Sequence, residues 1–271
     1  MAYCSKCGVK IEIQADYCPD CGGELTDRPL ADRSFWGKYW EKADFNYLIP
    51  EDYRFHEILK KEFKTKTITS FLEIGGFPGN YSIYAAKYLN VNPTLLDFYI
   101  DEDIIEQFTN YNKVERTRIT VLEKDLFTYQ PDRKYDFVLS VGFIEHFNKV
   151  EELIEKHLAF LNDHGTLLMS IPNLRGCGGL AHLLWHRDNL KHHNLSIMSI
   201  PSIIRILKKM GIHNFEVFYY GSFGMWLDNY DEHSKLNRWL YDNYYTICEY
   251  LAWIVPVKRL FAPHILIKIS R

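Results

Sequence analysis

Four of the six cysteines stand as two Cys-x-x-Cys pairs, Cys4 with Cys7 and Cys18 with Cys21, with ten residues between the pairs. A glycine follows each pair (Gly8 and Gly22), and its freedom at positive φ lets the chain turn so that two thiolates converge on one ion. Four thiolates close a tetrahedral site with no open position, so the metal implied is Zn2+ in a structural role. Two disulfides are the competing reading, which a reducing compartment disfavours. A second constellation lies further along. The apolar run Phe71-Leu72-Glu73-Ile74 opens into Gly75-Gly76-Phe77-Pro78-Gly79, and Asp97 follows the turn by about twenty residues. A carboxylate at that spacing can accept both hydroxyls of a ribose. Beyond it, Glu145 and His146 adjoin, and His192 and His193 follow Asp188, which offers a general base with an orienting carboxylate.

The elements that must position these groups follow from periodicity. From Thr67 onward, apolar runs of strand length alternate with amphipathic stretches of helix length, the pattern of a parallel sheet with helices on both faces. Strands are predicted over 68–74, 93–98, 118–122, 135–141 and 165–171, with helices over 79–89, 101–110, 149–161 and 199–210. Residues 214–220 and the alternating run 263–269 complete the pattern. Glycine turn and polar strand ends then gather on the carboxyl edge, where open α/β sheets bind ligands. The chain divides into 1–28 with the cysteines, a linker and covering helices over 29–66, and an α/β domain over 67–271 with an insertion at about 223–258. The aromatic cluster Phe35-Trp36-Gly37-Lys38-Tyr39-Trp40 is expected to pack on that domain, a substrate lid being the alternative.

Lysine plus arginine number 32 against 35 acidic residues, a net charge of −3, so no global field draws phosphate backbones and nucleic acid is a poor partner. Residues 1–28 carry three basic and five acidic residues, which points the cysteine module toward a protein contact or plain stabilisation. The longest apolar stretch, Tyr250 to Val257, is far below the ~18 residues of a spanning helix. The start has no basic segment followed by an apolar run, which predicts a cytoplasmic location. Cys177 and Cys248 read as small buried hydrophobes.

From about residue 68 to 271 the chain resembles the class I S-adenosylmethionine-dependent methyltransferases. The likeness is greatest to small-molecule and glycan-cluster members similar to the ubiquinone-pathway O-methyltransferases, while the cysteine module looks like a zinc ribbon. The resemblance implies a Rossmann-like, mostly parallel seven-stranded sheet and S-adenosyl-L-methionine as cofactor. Glu73, Gly75, Gly76 and Gly79 would approach its methionine and ribose part, and Asp97 with Phe98 the ribose. Asp125 and Leu126 would hold the adenine, and Ser140, Val141, Gly142 and Glu145 the sulfonium end. One departure stands out: Phe77 replaces the middle glycine of the family's turn, so the loop must take another path, set by Pro78.

Methyl transfer to a hydroxyl requires in-line placement, exclusion of water and removal of a proton, for which His146 and His193 are the expected bases. Asn173, Arg175, His193 and Met198 are expected to shape the acceptor pocket. Ser140-Val141-Gly142-Phe143 stands where amine-directed relatives carry an Asn/Asp-Pro-Pro-aromatic motif, so oxygen of a small molecule or surface-glycan sugar is the expected acceptor. In the insertion, Leu236, Leu240, Ile247, Leu251 and Ile254 recur at helical spacing, which reads as core packing. The alternative is an aromatic substrate cap, or contact with a membrane surface that carries a lipid-linked acceptor. Three other functions remain open: a hydride-transferring dinucleotide enzyme, an RNA methyltransferase guided by the ribbon, and a non-catalytic cofactor-binding scaffold.

Overall fold

The computed structural model describes residues 2–4, 10–11, 25–26, 33–41, 43–227 and 230–271. At its start β1 (Ala2–Cys4), β2 (Lys10–Ile11) and β3 (Leu25–Thr26) form a three-stranded antiparallel sheet in the order β2-β1-β3. Cys4 closes β1 opposite Leu25, while Cys7, Cys18 and Cys21 lie outside the described residues. Two helices follow, α1 (Arg33–Glu41) and α2 (His56–Thr65).

The main sheet comprises β4 (Phe71–Ile74), β5 (Pro93–Asp97), β6 (Thr120–Glu123), β7 (Tyr135–Val141), β8 (Leu161–Pro172), β9 (Phe215–Tyr220) and β10 (His264–Ser270). Their order is β6-β5-β4-β7-β8-β10-β9, and only β10 runs against the rest. The chain therefore winds outward from β4 to β6 and returns to β7 on the other side of β4. That reversal opens a crevice beyond the carboxyl ends of β4 and β7.

The strands alternate side chains between two buried faces, as β10 shows: Ile265, Ile267 and Ile269 join one apolar cluster and Leu266 the other. Helices α5 (Val150–Ala159) and α7 (Ile200–Lys209) cover the first face through Leu153, Ile154, Ile203 and Leu207. Helices α2, α3 (Asn80–Tyr88) and α4 (Glu102–Tyr111) cover the second through Leu59, Ile83, Tyr84, Ile105 and Phe108. With both faces covered, β4 and β5 are buried along their whole length, which is why apolar residues stand at adjacent positions in them, Phe71 with Leu72 and Leu95 with Leu96. The edge away from the crevice is held by Asp136. Its Oδ2 accepts from the backbone N–H and hydroxyl groups of Thr69 and Ser70, and its Oδ1 from Asn162.

Two further elements differ from expectation. Helix α6 (Cys177–Trp185) begins with Cys177-Gly178-Gly179, whose glycines conceal it from propensity, yet a Cβ at Gly179 would strike the Leu174 carbonyl. The insertion forms α8 (Lys235–Ile254) and the short α9 (Lys258–Phe261), but α8 does not pack as a core helix. Leu236, Leu240, Ile247, Leu251 and Ile254 are exposed, as are Trp239, Tyr250 and Trp253, the last at 80%. The core-packing reading is thus corrected: Tyr241, Cys248 and Ala252 form the narrow buried stripe, against Phe261 and Cys177. Among the described residues no helix is long and apolar enough to cross a membrane.

Candidate active site

The glycine turn after β4 keeps two residues in the left-handed region, Gly75 at φ 64° and Gly79 at φ 101°. A Cβ at Gly75 would strike the Phe143 ring, and one at Gly76 the Glu73 side chain. Phe77, where the resemblance calls for glycine, avoids conflict by turning inward. It is 4% exposed and sits edge-on against Trp40 at 5.4 Å and Tyr99 at 5.3 Å. Its N–H donates to Asp97 Oδ2 at 3.0 Å, so Phe77 ties the turn to the end of β5.

Two carboxylates brace this turn. Glu73 accepts from the N–H of Tyr81 (3.2 Å) and from the N–H and hydroxyl of Ser82 (both 2.6 Å), and burial pushes it up to about 7. Asp97 also accepts from Tyr99 N–H through Oδ1 (3.1 Å), and burial raises it to about 6 against those backbone bonds. Backbone N–H groups on both oxygens thus fix the Asp97 carboxylate at the end of β5.

Beside the turn lies a cavity of about 190 Å³, lined by Glu73, Gly75, Gly76, Asp97 and Phe98, with Val141, Gly142 and Phe143 from the end of β7. A second cavity of about 980 Å³ adjoins it and shares Trp36, Tyr39, Arg54, Val141 and Gly142. Its walls include Glu145, His146, Ser170, His193, Tyr220, Trp226 and His264. Antiparallel pairing of β10 brings three of its residues level, because His264 faces both Pro172 and Tyr220. The predicted Gly79, Asp125, Leu126 and Ser140 line neither cavity. Asp125 caps its own turn by accepting from Phe127 N–H, Leu126 is a core residue, and Ser140 Oγ is buried without a partner.

Helix α1 roofs both cavities with a ladder of rings. Trp36 is edge-on to His146 at 5.3 Å and stacks with Trp40 at 6.2 Å, which in turn meets Phe77. The aromatic cluster thus packs on the domain and also covers the crevice. Arg33 anchors its start through an ion pair with Glu123 and a position over the Tyr99 ring.

Glu145, His146 and His193 each offer a ligand atom, and these atoms lie within 4.8 Å of one another. Asn194 zips two loops together to bring them there: its backbone N–H donates to the Glu145 carbonyl at 2.6 Å, and its side-chain Nδ2 to that of Phe147 at 2.9 Å. His146 Nδ1 meets the His192 carbonyl at 2.7 Å and His193 Nδ1 that of Asn189 at 2.8 Å. Burial first, then neighbouring His193, lowers His146 to about 3, so its ring is neutral at pH 7. Burial raises Glu145 to about 8.

Three pocket predictions are displaced. Asn173 is buried with its amide on the carbonyls of Arg259 and Ala262, Arg175 donates to Leu195, and Met198 belongs to the core. Sequence reasoning passed over Arg54, Tyr220 and His264. They converge only through strand register and the α2 approach, and the one available signal was the alternating run that ends the chain.

Comparison with known proteins matches this geometry. A family model described as a methyltransferase domain matches residues 32–217, so the chain belongs to that family and carries the catalytic domain of an S-adenosylmethionine-dependent methyltransferase. It is 28% identical over 116 residues to (S)-tetrahydroprotoberberine N-methyltransferase of Eschscholzia californica, matching 42% of this chain and 33% of that protein. Among solved structures it is similar to a candidate O-methyltransferase of Nostoc punctiforme, with a TM-score of 0.54 and 14% identity over 79% of this chain and 55% of that one. It is also similar to phosphoethanolamine N-methyltransferase 2 of Haemonchus contortus, solved with phosphomonomethylethanolamine and S-adenosylhomocysteine. There the TM-score is 0.52 and the identity 19%, over 79% of this chain and 51% of that one. The chain thus spans about a third to a half of these relatives' lengths.

Proposed function

We propose that the protein transfers a methyl group from S-adenosylmethionine to an oxygen of a small molecule or surface-glycan sugar. The observation that carries this reading is the pair of cavities joined at Val141 and Gly142 beneath one aromatic roof. The smaller cavity suits the cofactor: the glycine cradle has no room for a Cβ at Gly75 or Gly76, and Asp97 waits at the ribose position. Bound there, the cofactor supplies an electrophilic methyl group on a sulfonium. Glu73 lines this cavity and braces the cradle through three bonds to the first turn of α3.

The larger cavity suits the acceptor. Trp36, Tyr39, Phe223 and Trp226 give its walls flat apolar faces, which suit sugar rings or hydrophobic groups and exclude water. His146 and His193 stand on the wall of this cavity, where they activate the acceptor hydroxyl. The exposed face of α8, with Lys258 and Arg259 just beyond it, suits a membrane surface bearing a lipid-linked acceptor.

A small-molecule amine is the second reading, favoured by the N-methyltransferase activities named for two relatives. At the start of the chain, the four-thiolate donor set and the antiparallel strands that place Cys4 opposite Leu25 fit a structural zinc. Calorimetric titration with S-adenosylhomocysteine tests the cofactor half. One site per chain, weakened at least ten-fold in Asp97→Ala, is expected. Absence of binding to a folded protein would remove the reading.

A further inference from the structure

We propose that Glu145, His146 and His193 form a binding site for one divalent first-row metal ion on the wall of the acceptor cavity. Two imidazoles and one carboxylate are the donor set of open metal centres, which hold an ion on three protein ligands and leave positions for substrate.

Three observations point to an ion. First, one donor atom from each residue falls within 4.8 Å of the others, close enough to share a centre. Second, Glu145 is 1% exposed and its Oε2 has no hydrogen-bond partner, a cost that a bound cation removes. Third, both histidines direct Nδ1 at a backbone carbonyl, His146 at His192 and His193 at Asn189. A carbonyl only accepts, so a ring that donates through Nδ1 is left with Nε2 as the nitrogen able to ligate. This outer-shell arrangement is the one that orients ligating histidines. The loops are fixed as well, since Asn194 is bonded to the carbonyls of both Glu145 and Phe147.

The centre is distinct from the four cysteines in its place along the sequence and in donor chemistry. Nitrogen and oxygen donors suit Mn2+, Fe2+, Co2+ or Zn2+, and affinity should rise from Mn2+ to Co2+. That the ion's open positions take the acceptor oxygen rests on the methyltransferase reading; the site itself does not. An ion there would make a bound hydroxyl more acidic, with solvent water taking the proton and the histidines serving as ligands and not as bases.

The test is Co2+ titration of the full chain after exposure to a chelator, followed by visible absorption and calorimetry. Thiolate-bound Co2+ announces itself by an intense near-ultraviolet charge-transfer band, which separates the two sites. The expected result is one further Co2+ per chain with weak visible bands and no such band, bound at least a hundred-fold more weakly in Glu145→Gln and His193→Gln. Melting temperatures of the metal-free variants should match the parent, which separates ligand loss from misfolding. No second Co2+, or unchanged binding in both variants, overturns the site. Should Co2+ bind as expected while no acceptor is ever methylated, the site stands and the acceptor reading fails. Methyl transfer that survives both chelation and Glu145→Gln, with no Co2+ bound, does the reverse.

Discussion

At the scale of single residues, two aspartates show how opposite environments give one side chain opposite roles. Asp97 is raised to about 6 by burial, so its charge is costly in the folded chain and sits where a ligand hydroxyl can use it. Ribose hydroxyls bind the carboxylate better than the acid. Cofactor affinity should therefore fall as pH drops from 7 through 6, and Asp97→Asn should bind at least ten-fold more weakly with little pH dependence; calorimetry across that range checks both. Asp136 is the reverse case. Burial opposes its charge, but bonds from Thr69, Asn162 and Ser70 prevail and hold it at about 2, below the ordinary 3.8. A lowered carboxylate stabilises the fold above its unfolded value and loses that contribution as pH falls through the folded one. Asp136→Asn should cost about 1–3 kcal/mol at pH 7 in urea unfolding, a loss that shrinks toward pH 2, with cofactor affinity unchanged. Neither role was written in residue type. Asp97 was found by its distance from the glycine turn, and Asp136 was passed over because its partners come from two distant segments, the one before β4 and the start of β8.

At the scale of elements, the helices and strands with plain periodicity lie where the pattern put them, within a few residues, from β4 to β10. Burial on both faces lets adjacent positions be apolar, as Phe71 and Leu72 are in β4 and Leu95 and Leu96 in β5, and nothing in the turns competes with them. The failures have physical causes. Helix α6 starts on a glycine doublet that close packing demands, and α8 shows a helical apolar repeat whose faces were assigned to the core although most remain in water. That exposed face gives a prediction of its own. Trp239→Ser with Trp253→Ser should weaken binding to anionic lipid vesicles at least five-fold in a sedimentation assay while melting temperature holds, since both side chains are exposed. Equal sedimentation would remove the membrane contact. The roof helix α1 makes a different demand. Trp36 touches His146 and lines both cavities, so Trp36→Ala should lower kcat and weaken cofactor binding together rather than raise KM alone.

At the scale of the whole molecule, the winding order explains why these groups meet. Because the chain reverses direction at β4, the glycine turn, Asp97 and the Val141–His146 segment open onto one crevice, and the antiparallel β10 adds His264 beside Tyr220. The sequence pattern exposes the parallel half of this arrangement; the acceptor half depends on loops brought together by long-range bonds such as Asn194 to Glu145. The account's central claim is methyl transfer to an oxygen acceptor held in the larger cavity. Its most direct test is incubation with methyl-labelled S-adenosylmethionine and an extract divided into RNA, protein, lipid-glycan and small-molecule fractions, with Asp97→Ala as control. Label in the lipid-glycan or small-molecule fraction, lost in the control and found by mass spectrometry on oxygen, is the predicted result. Label in RNA or protein, or label on nitrogen, would contradict it.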